Sequence, residues 1–259
     1  MRVVFLGKCK RSAVSALHWL VESGCDVPAV VAGEPDEYTR AEQRLDLAAT
    51  RHGIPLVGDE DLYEMAARGH LDGVDLVISF LFWRRIREPL ISVGRIGCLN
   101  FHPAPLPDFR GVGGYNVAIL EGLGEWGVSC HFVDEDLDTG DLVAVERFPI
   151  DPNAETALTL DVESQARLLE LFKDVVGRAL SGEELPREPQ GEGRYVSRAE
   201  LEELRLVRPG DDVARKLRAF WYPPWPGALG EVAGGRYTLV DERLLAEITR
   251  LYREHGPLP

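Results

Sequence analysis

Blocks of apolar and polar positions alternate along the first half of the chain. Short unbroken apolar runs predict strands at residues 3–6, 27–31, 54–57 and 75–80. Stretches with a period near 3.6 predict helices between them, at residues 13–23, 38–52 and 60–67. Because strands and helices alternate, we expect an α/β fold with a parallel sheet and helices on both faces. Strands covered on both sides are apolar throughout, as these are.

The pattern is less regular after residue 97. Apolar runs predict strands at residues 97–102, 128–133 and 142–148, and periodic stretches predict a short helix at 115–120 and a long one at about 156–180. Residues 181–192 are rich in Gly, Glu and Pro and predict a linker. Residues 193–259 predict a small α+β unit, with helices near 198–204 and 211–219 and a hairpin around Gly234 and Gly235.

Charge and composition exclude several classes of protein. The formal net charge is −14, with −12 in residues 1–180 and −2 in residues 181–259, so we expect no extended contact with nucleic acid. The longest apolar run, residues 76–83, is too short to cross a membrane, and the first residues do not resemble a signal peptide. We therefore expect a cytoplasmic protein. The four cysteines lack the spacing of a metal site, and we expect no metal.

Three polar residues are candidates for chemistry. Asn100 and His102 stand two residues apart at the end of a predicted strand, so their side chains share one face and could hydrogen-bond a developing oxyanion. Asp138, in the polar loop of residues 134–141, could orient an imidazole. Taken alone, the spacing favours polar groups that satisfy strand-end backbone and an aspartate that caps a turn.

Two longer motifs carry a family resemblance. Residues 99–111 read LNFHPAPLPDFRG, and residues 127–141 read GVSCHFVDEDLDTGD. Together, in this order and at this separation, they resemble the folate-dependent formyltransferase family. The resemblance covers roughly residues 1–180 and is strongest over residues 75–150.

The resemblance implies a Rossmann-like sheet that binds N10-formyltetrahydrofolate as co-substrate, with residues 1–180 as the N-formyltransferase catalytic domain. It implies that Asn100, His102 and Asp138 are catalytic. It also implies a cis peptide bond between Leu106 and Pro107. The residues expected to bind the folate, largely through their main chain, are Phe82, Arg84, Ile86, Val133, Asp134 and Asp138.

A third motif bears on the amine that is formylated. Residues 215–228, RKLRAFWYPPWPGA, and residues 194–198 resemble the C-terminal signature of sugar N-formyltransferases that act on nucleotide-linked amino sugars. Cations next to aromatic rings suit a diphosphate and a base, although some of these rings must pack a small core. The expected substrate-binding residues are Lys8, Lys10, Arg11, Lys216, Arg218, Phe220, Trp221 and Tyr222, with Trp221 the first choice for stacking on the base and Tyr222 the second.

Other functions remain open at this point. Methionyl-tRNA formyltransferases carry a larger C-terminal domain and a positive RNA surface, whereas this C-terminal segment is short and slightly acidic. Glycinamide ribonucleotide formyltransferases place a Gly/Ser/Asn-rich loop where this chain has Lys8, Lys10 and Arg11. A formyltetrahydrofolate hydrolase and a non-catalytic nucleotide- or folate-binding module are further alternatives. The resemblance also implies a homodimer formed partly by residues 193–259, which would serve both dimerisation and nucleotide contact.

Overall fold

The structure is a computed structural model and describes residues 1–255, so the last four residues of the predicted C-terminal unit lie outside it. The strands are β1 (Val3–Gly7), β2 (Val30–Ala32), β3 (Leu76–Phe80), β4 (Gly97–His102), β5 (Phe109–Gly111), β6 (Glu125–Phe132), β7 (Leu142–Pro149), β8 (Arg194–Val196), β9 (Leu229–Val232) and β10 (Gly235–Thr238). The helices are α1 (Arg11–Glu22), α2 (Leu45–Arg51), α3 (Asp59–Ala67), α4 (Gly114–Glu121), α5 (Ala157–Leu180), α6 (Arg198–Arg205), α7 (Val213–Ala219) and α8 (Glu242–His255).

A six-stranded sheet in the order β2-β1-β3-β4-β6-β7 confirms the predicted α/β fold. Strands β1 to β4 are parallel, but β6 and β7 are antiparallel to their neighbours, so the sheet is mixed rather than wholly parallel. The connection between β6 and β7 explains part of this difference. Residues 133–141 are too few for the crossover that parallel strands require, and they form a hairpin connection instead.

Several local predictions were wrong. Residues 54–57 form no strand and contribute one isolated bridge, between Leu56 and Val30. The helix expected at residues 38–52 is confined to α2 and a preceding single turn of 3₁₀ helix at Ala41–Gln43. The reason lies at Asp36, whose carboxylate accepts hydrogen bonds from the Tyr38 N–H and the Thr39 hydroxyl. Such local bonds compete with helix formation.

The segment that follows α5 lies against the sheet. The N–H of Leu142 donates to the carbonyl of Glu188 and the reverse bond is also made. Strand β8 then pairs in parallel with β5, an interaction that the sequence pattern did not predict. The Leu106–Pro107 peptide is cis, as expected. None of the helices within residues 1–255 is both long enough and apolar enough to span a bilayer.

The larger of two hydrophobic clusters covers one face of the sheet and continues into the C-terminal segment. At its centre the ring of Phe172 on α5 meets the rings of Phe5, Phe80 and Phe101 from three adjacent strands, with centroid separations of 5.0–6.4 Å. The C-terminal members of the same cluster are Leu217, Ala219, Phe220, Trp221, Ala228 and Leu244. One continuous core therefore joins the sheet to the segment after α5.

Removing the central ring should destabilise the fold. Phe172 is fully buried, so Phe172→Ala should lower the free energy of unfolding by about 3–5 kcal/mol. Val162, on the same helix, is 60% exposed, and Val162→Ala should change it by less than about 0.5 kcal/mol. Urea unfolding followed by circular dichroism measures both. Equal effects of the two substitutions would contradict the placement of Phe172.

Candidate active site

The carboxyl ends of two parallel strands bring the first polar side chains together. Ser79 on β3 and Asn100 on β4 are register partners. The Ser79 hydroxyl donates a hydrogen bond to Asn100 Oδ1 at 2.6 Å. This bond fixes the amide, because it leaves the Nδ2 group of Asn100 directed to the opposite side.

Strand β6 supplies a second histidine from the other side of β4. His131 is the register partner of Asn100 and is almost fully buried. Its Nδ1–H donates to the carbonyl of Phe132 at 2.7 Å, so Nε2 is the acceptor for Asn100 Nδ2, 3.0 Å away. His131 thereby holds the amide of Asn100 from the side opposite Ser79.

Asp138 reaches the same point from the loop between β6 and β7. Its backbone φ of 56° lies in the left-handed region, which aspartate tolerates better than most residues. Two residues later Gly140 passes so close to β6 that a Cβ atom would stand 2.0 Å from the carbonyl oxygen of Phe132. The loop therefore folds tightly over the end of the sheet and turns Asp138 inward.

Three strands of the chain, β4, β5 and β6, surround the Asp138 carboxylate. The N–H of Gly111 donates to Oδ2 at 3.0 Å, and Asn100 Nδ2 donates to Oδ1 at 3.3 Å. His102 Nδ1 and His131 Nε2 lie 3.7 and 3.6 Å from Oδ1. Gly111 has a φ of 84°, and a Cβ there would stand 2.4 Å from the carbonyl of Val196, so the contact requires glycine.

These contacts decide the charge of Asp138. Burial raises the pKa of the Asp138 carboxyl, but the nearby imidazoles of His102 and His131 and the hydrogen bond from the N–H of Gly111 together outweigh burial and lower the pKa well below its usual range. On its other side the His102 ring is held by a hydrogen bond, since its Nε2–H donates to the carbonyl of Phe109 at 2.9 Å. In the neutral His102 ring, Nδ1 is then the basic nitrogen, and it faces a permanent anion.

A cleft of about 1860 Å³ opens above Asn100, His102 and Asp138. This volume exceeds the roughly 300–1,000 Å³ usual for a single small ligand, so the cleft has room for two reactants. All six residues predicted to bind folate line it, as do Lys8, Lys10, Arg11 and Tyr222. The structure thus brings three groups of predicted residues to one cavity.

Residues 82–86 line one part of the cleft, which we call the first wall, and their main-chain groups fit a folate. Within the described chain, neither the N–H nor the C=O groups of residues 82–86 hydrogen-bond to other protein groups. They are therefore free to bind the donor and acceptor groups of a pterin. The Arg84 side chain is occupied, since it pairs with Asp59 at 3.0 Å and lies over the Trp83 ring. Arg84 would thus contribute main-chain groups.

Four predicted substrate-binding residues lie outside the cleft. Lys216 is buried and donates to Asp211 at 2.6 Å and to the carbonyl of Leu206 at 2.9 Å. Arg218 donates to the carbonyls of Pro152 and Ala214. Phe220 and Trp221 are 5% exposed and belong to the hydrophobic core. The short α7 turns these side chains toward packing and backbone partners rather than toward a ligand.

Two residues of the centre escaped the sequence analysis. Ser79 stands in an apolar run and reads as an interruption of a buried strand. His131 occupies a strand position with the same alternation as its apolar neighbours. Their role depends on pairing between strands that are distant in sequence. Among residues 1–255, no group of three or more His, Cys, Asp or Glu side chains is arranged to bind a metal ion.

The motifs, the sheet and this centre can now be compared with known proteins. A sequence model described as "Formyl transferase" matches residues 2–175, about two thirds of the chain. The chain belongs to the formyl transferase family. Members of this family depend on formyltetrahydrofolate, which agrees with the free main-chain groups of residues 82–86.

The proteins most similar in sequence differ from those similar in fold. The methionyl-tRNA formyltransferase of Citrifermentans bemidjiense is 30% identical over 253 residues, which are 95% of this chain and 76% of the relative. A 4-N formyltransferase from Francisella tularensis superposes with a TM-score of 0.74 at 19% identity and covers 93% of this chain and 97% of its own. An N-formyltransferase from Helicobacter canadensis, in complex with folinic acid and dTDP-3-aminofucose, gives 0.72 at 20% identity, covering 90% and 85%.

The lowered pKa of Asp138 predicts a specific dependence of stability on pH. The contribution of the carboxylate should be complete above the ordinary aspartate pKa of about 3.9 and should decline as the pH falls below it, toward the pKa in the folded protein. The unfolding free energy of the wild type, relative to Asp138→Asn, should fall as the pH is lowered from 5 to 3.

Urea titrations at four pH values measure this difference. Asp174, exposed on α5, serves as a matched control, because Asp174→Asn should show a much weaker dependence. A difference between wild type and Asp138→Asn that does not change between pH 5 and 3 would contradict the assigned charge.

Proposed function

We propose that this chain transfers the formyl group of N10-formyltetrahydrofolate to the amine of a nucleotide-linked amino sugar. Formyl transfer follows from the family, and the acceptor is our inference. The observation that carries it is a group of cations, Lys8, Lys10, Arg11 and Arg198, that line the same cleft as residues 82–86. An acidic protein that concentrates cations in its reaction cleft is suited to a phosphorylated acceptor.

Lys8, Lys10 and Arg11 approach the N-terminus of α1, and Arg198 at the start of α6 lines the same wall. Enclosure in the cleft lowers the pKa of Lys8, and the charges of Lys10 and Arg198 lower it further. Among the carboxylates of residues 1–251, none lies within ion-pair distance of Lys8, Arg11 or Arg198. Helix α1 has no side-chain cap and no acidic residue in its first turn. These features suit a diphosphate.

In the proposed reaction the acceptor amine attacks the formyl carbon, and a new C–N bond forms while the bond from that carbon to N10 breaks. Asn100 Nδ2 exchanges its long bond to Asp138 for a bond to the oxyanion that develops on the formyl oxygen. His102, fixed by Phe109 and Asp138, takes up the proton released by the amine at Nδ1, where Asp138 stabilises the charge. The proton then passes to N10 of the departing tetrahydrofolate. His131 and Ser79 position Asn100.

Methionyl-tRNA is a second candidate acceptor, because relatives with about 30% sequence identity are named methionyl-tRNA formyltransferases. The charges of residues 34–44, several of which line the cleft, favour the smaller acceptor. Residues 34–44 hold four acidic and two basic side chains, and one of the basic ones, Arg44, is paired with Asp46 at 2.6 Å. Binding of a polynucleotide relies on cations that neutralise its phosphates, and residues 34–44 supply few cations.

The expected homodimer is retained as part of the proposal. The β9–β10 hairpin exposes Val232 and Tyr237, which are 62% and 57% accessible in the single chain. A two-stranded hairpin is marginal without further packing, so a second copy against it would stabilise the segment. Cytoplasmic location likewise remains a prediction.

Substitution of the amide tests the reaction. Asn100→Ala should lower kcat/KM by roughly 10²–10³-fold, as loss of one oxyanion donor typically does. Asn153 is exposed and outside the cleft, so Asn153→Ala should leave the rate unchanged. Release of tetrahydrofolate measures the rate, and circular dichroism checks the fold. Near wild-type turnover in Asn100→Ala would eliminate the oxyanion role.

A panel of acceptors tests the substrate class. Wild-type protein with N10-formyltetrahydrofolate should formylate nucleotide-linked amino sugars, and should act far more slowly on methionyl-tRNA, glycinamide ribonucleotide or water. Lys8→Met should raise the KM of the nucleotide-linked acceptor at least about tenfold, since a charge-assisted bond is lost. Lys173 is outside the cleft, and Lys173→Met is the matched control. Preference for methionyl-tRNA would replace the first candidate with the second.

A further inference from the structure

Two aromatic rings meet at the mouth of the cleft. Tyr38, from the loop after β2, and Trp225, from the turn after α7, lie with ring centroids 5.5 Å apart and planes at 79°. Both side chains line the cleft. Trp225 keeps 48% of its surface accessible, whereas Trp221 of the same segment keeps 5%. The segment therefore buries one indole in the core and leaves the other open to the cleft.

The turn that carries Trp225 is tied to the cation wall. The N–H of Trp225 donates to the carbonyl of Tyr222 at 3.0 Å. The Tyr222 hydroxyl donates to Asp161 at 2.5 Å and accepts from Lys10 Nζ at 2.7 Å. Asp161 is itself held by Gln165 at 2.6 Å. The turn thus begins at Tyr222, which is hydrogen-bonded to the cation of Lys10, and ends at the exposed indole of Trp225.

This arrangement has the two features that recognise a nucleoside diphosphate. Cations bind the phosphates, and an aromatic face stacks on the base regardless of its hydrogen-bonding pattern. Trp225 is packed edge-to-face by Tyr38, which supports the indole while leaving part of its surface free. A large apolar surface left accessible inside a cleft is typical of a binding site.

We infer that Trp225, supported by Tyr38, is the stacking surface for the base of the acceptor nucleotide, with its diphosphate bound by Lys8, Lys10 and Arg198. This inference rests on the proposed function and names the determinant of its acceptor specificity. It replaces Trp221 and Tyr222, the residues expected from sequence, because the first is buried and the hydroxyl of the second is bonded to Asp161 and Lys10.

Direct binding separates the base from the phosphates. Isothermal titration calorimetry with uridine diphosphate, thymidine diphosphate and inorganic pyrophosphate needs no formyl donor. Trp225→Leu should weaken both nucleoside diphosphates roughly 5- to 150-fold, the range that loss of one base-stacking contact produces. Pyrophosphate binding should not change. Trp225→Phe should recover most of the affinity, and Tyr38→Leu should lose part of it.

Steady-state kinetics gives a second measurement. In Trp225→Leu the KM of the nucleotide-linked acceptor should rise by a similar factor, while kcat and the KM of N10-formyltetrahydrofolate stay within about twofold, because uniform binding energy is lost. Leu56 is exposed and outside the cleft, so Leu56→Ala is the control for loss of an accessible apolar side chain. Its binding and kinetics should equal those of the wild type.

The outcomes distinguish failure of the inference from failure of the proposed function. If the wild type binds nucleoside diphosphates and Trp225→Leu binds them equally well, the stacking surface is wrong and the acceptor class stands. An equal loss of pyrophosphate affinity would show that Trp225 supports the anion wall instead, which also overturns the inference. If the wild type binds neither nucleoside diphosphate and formylates only methionyl-tRNA, the proposed acceptor fails and the inference fails with it.

Discussion

A buried negative charge organises the centre of this protein. The Asp138 carboxylate is largely removed from water, and an ionised group in that position is stable only when other groups supply hydrogen bonds and positive charge. Here the partners are the N–H of Gly111, the amide of Asn100 and two imidazoles, and they come from three separate strands. The sheet, the glycine-rich loop and the β6–β7 loop must all be in place before the charge is satisfied.

This requirement also explains the mixed sheet. A histidine opposite Asn100 is supplied by β6 running antiparallel to β4, and the short connection from β6 to β7 then carries Asp138 back over the strand ends. The same loop supplies Val133 and Asp134 to the cleft. Asp134 holds the loop together, since its carboxylate accepts from the Thr139 hydroxyl and the Asp136 N–H. The β6–β7 loop thus positions Asp138 and also supplies residues that line the cleft.

The cleft separates two kinds of recognition. On one wall, free main-chain groups and apolar side chains suit a heterocycle whose edge is read by hydrogen bonds. On the other wall, unpaired cations and a helix N-terminus suit phosphates. The first wall is made by residues 82–86 and the β6–β7 loop, whereas the second is made by the β1–α1 loop, α6 and the turn after α7. Differences in acceptor within one family would arise on the second wall, because the reaction itself requires only the donor and the catalytic groups.

Local sequence determined most elements of the first half of the chain and the two motifs that carry Asn100, His102 and Asp138. Apolar periodicity and turn residues act over a few positions, so they are visible in one sequence. Tertiary structure alone decided that β6 runs antiparallel, that Ser79 and His131 fix Asn100, and that Trp221 is buried while Trp225 is open. The two tryptophans stand in the same aromatic run. Which of them packs depends on α5 and the sheet beneath, because burial is a property of the neighbours that long-range contacts bring together.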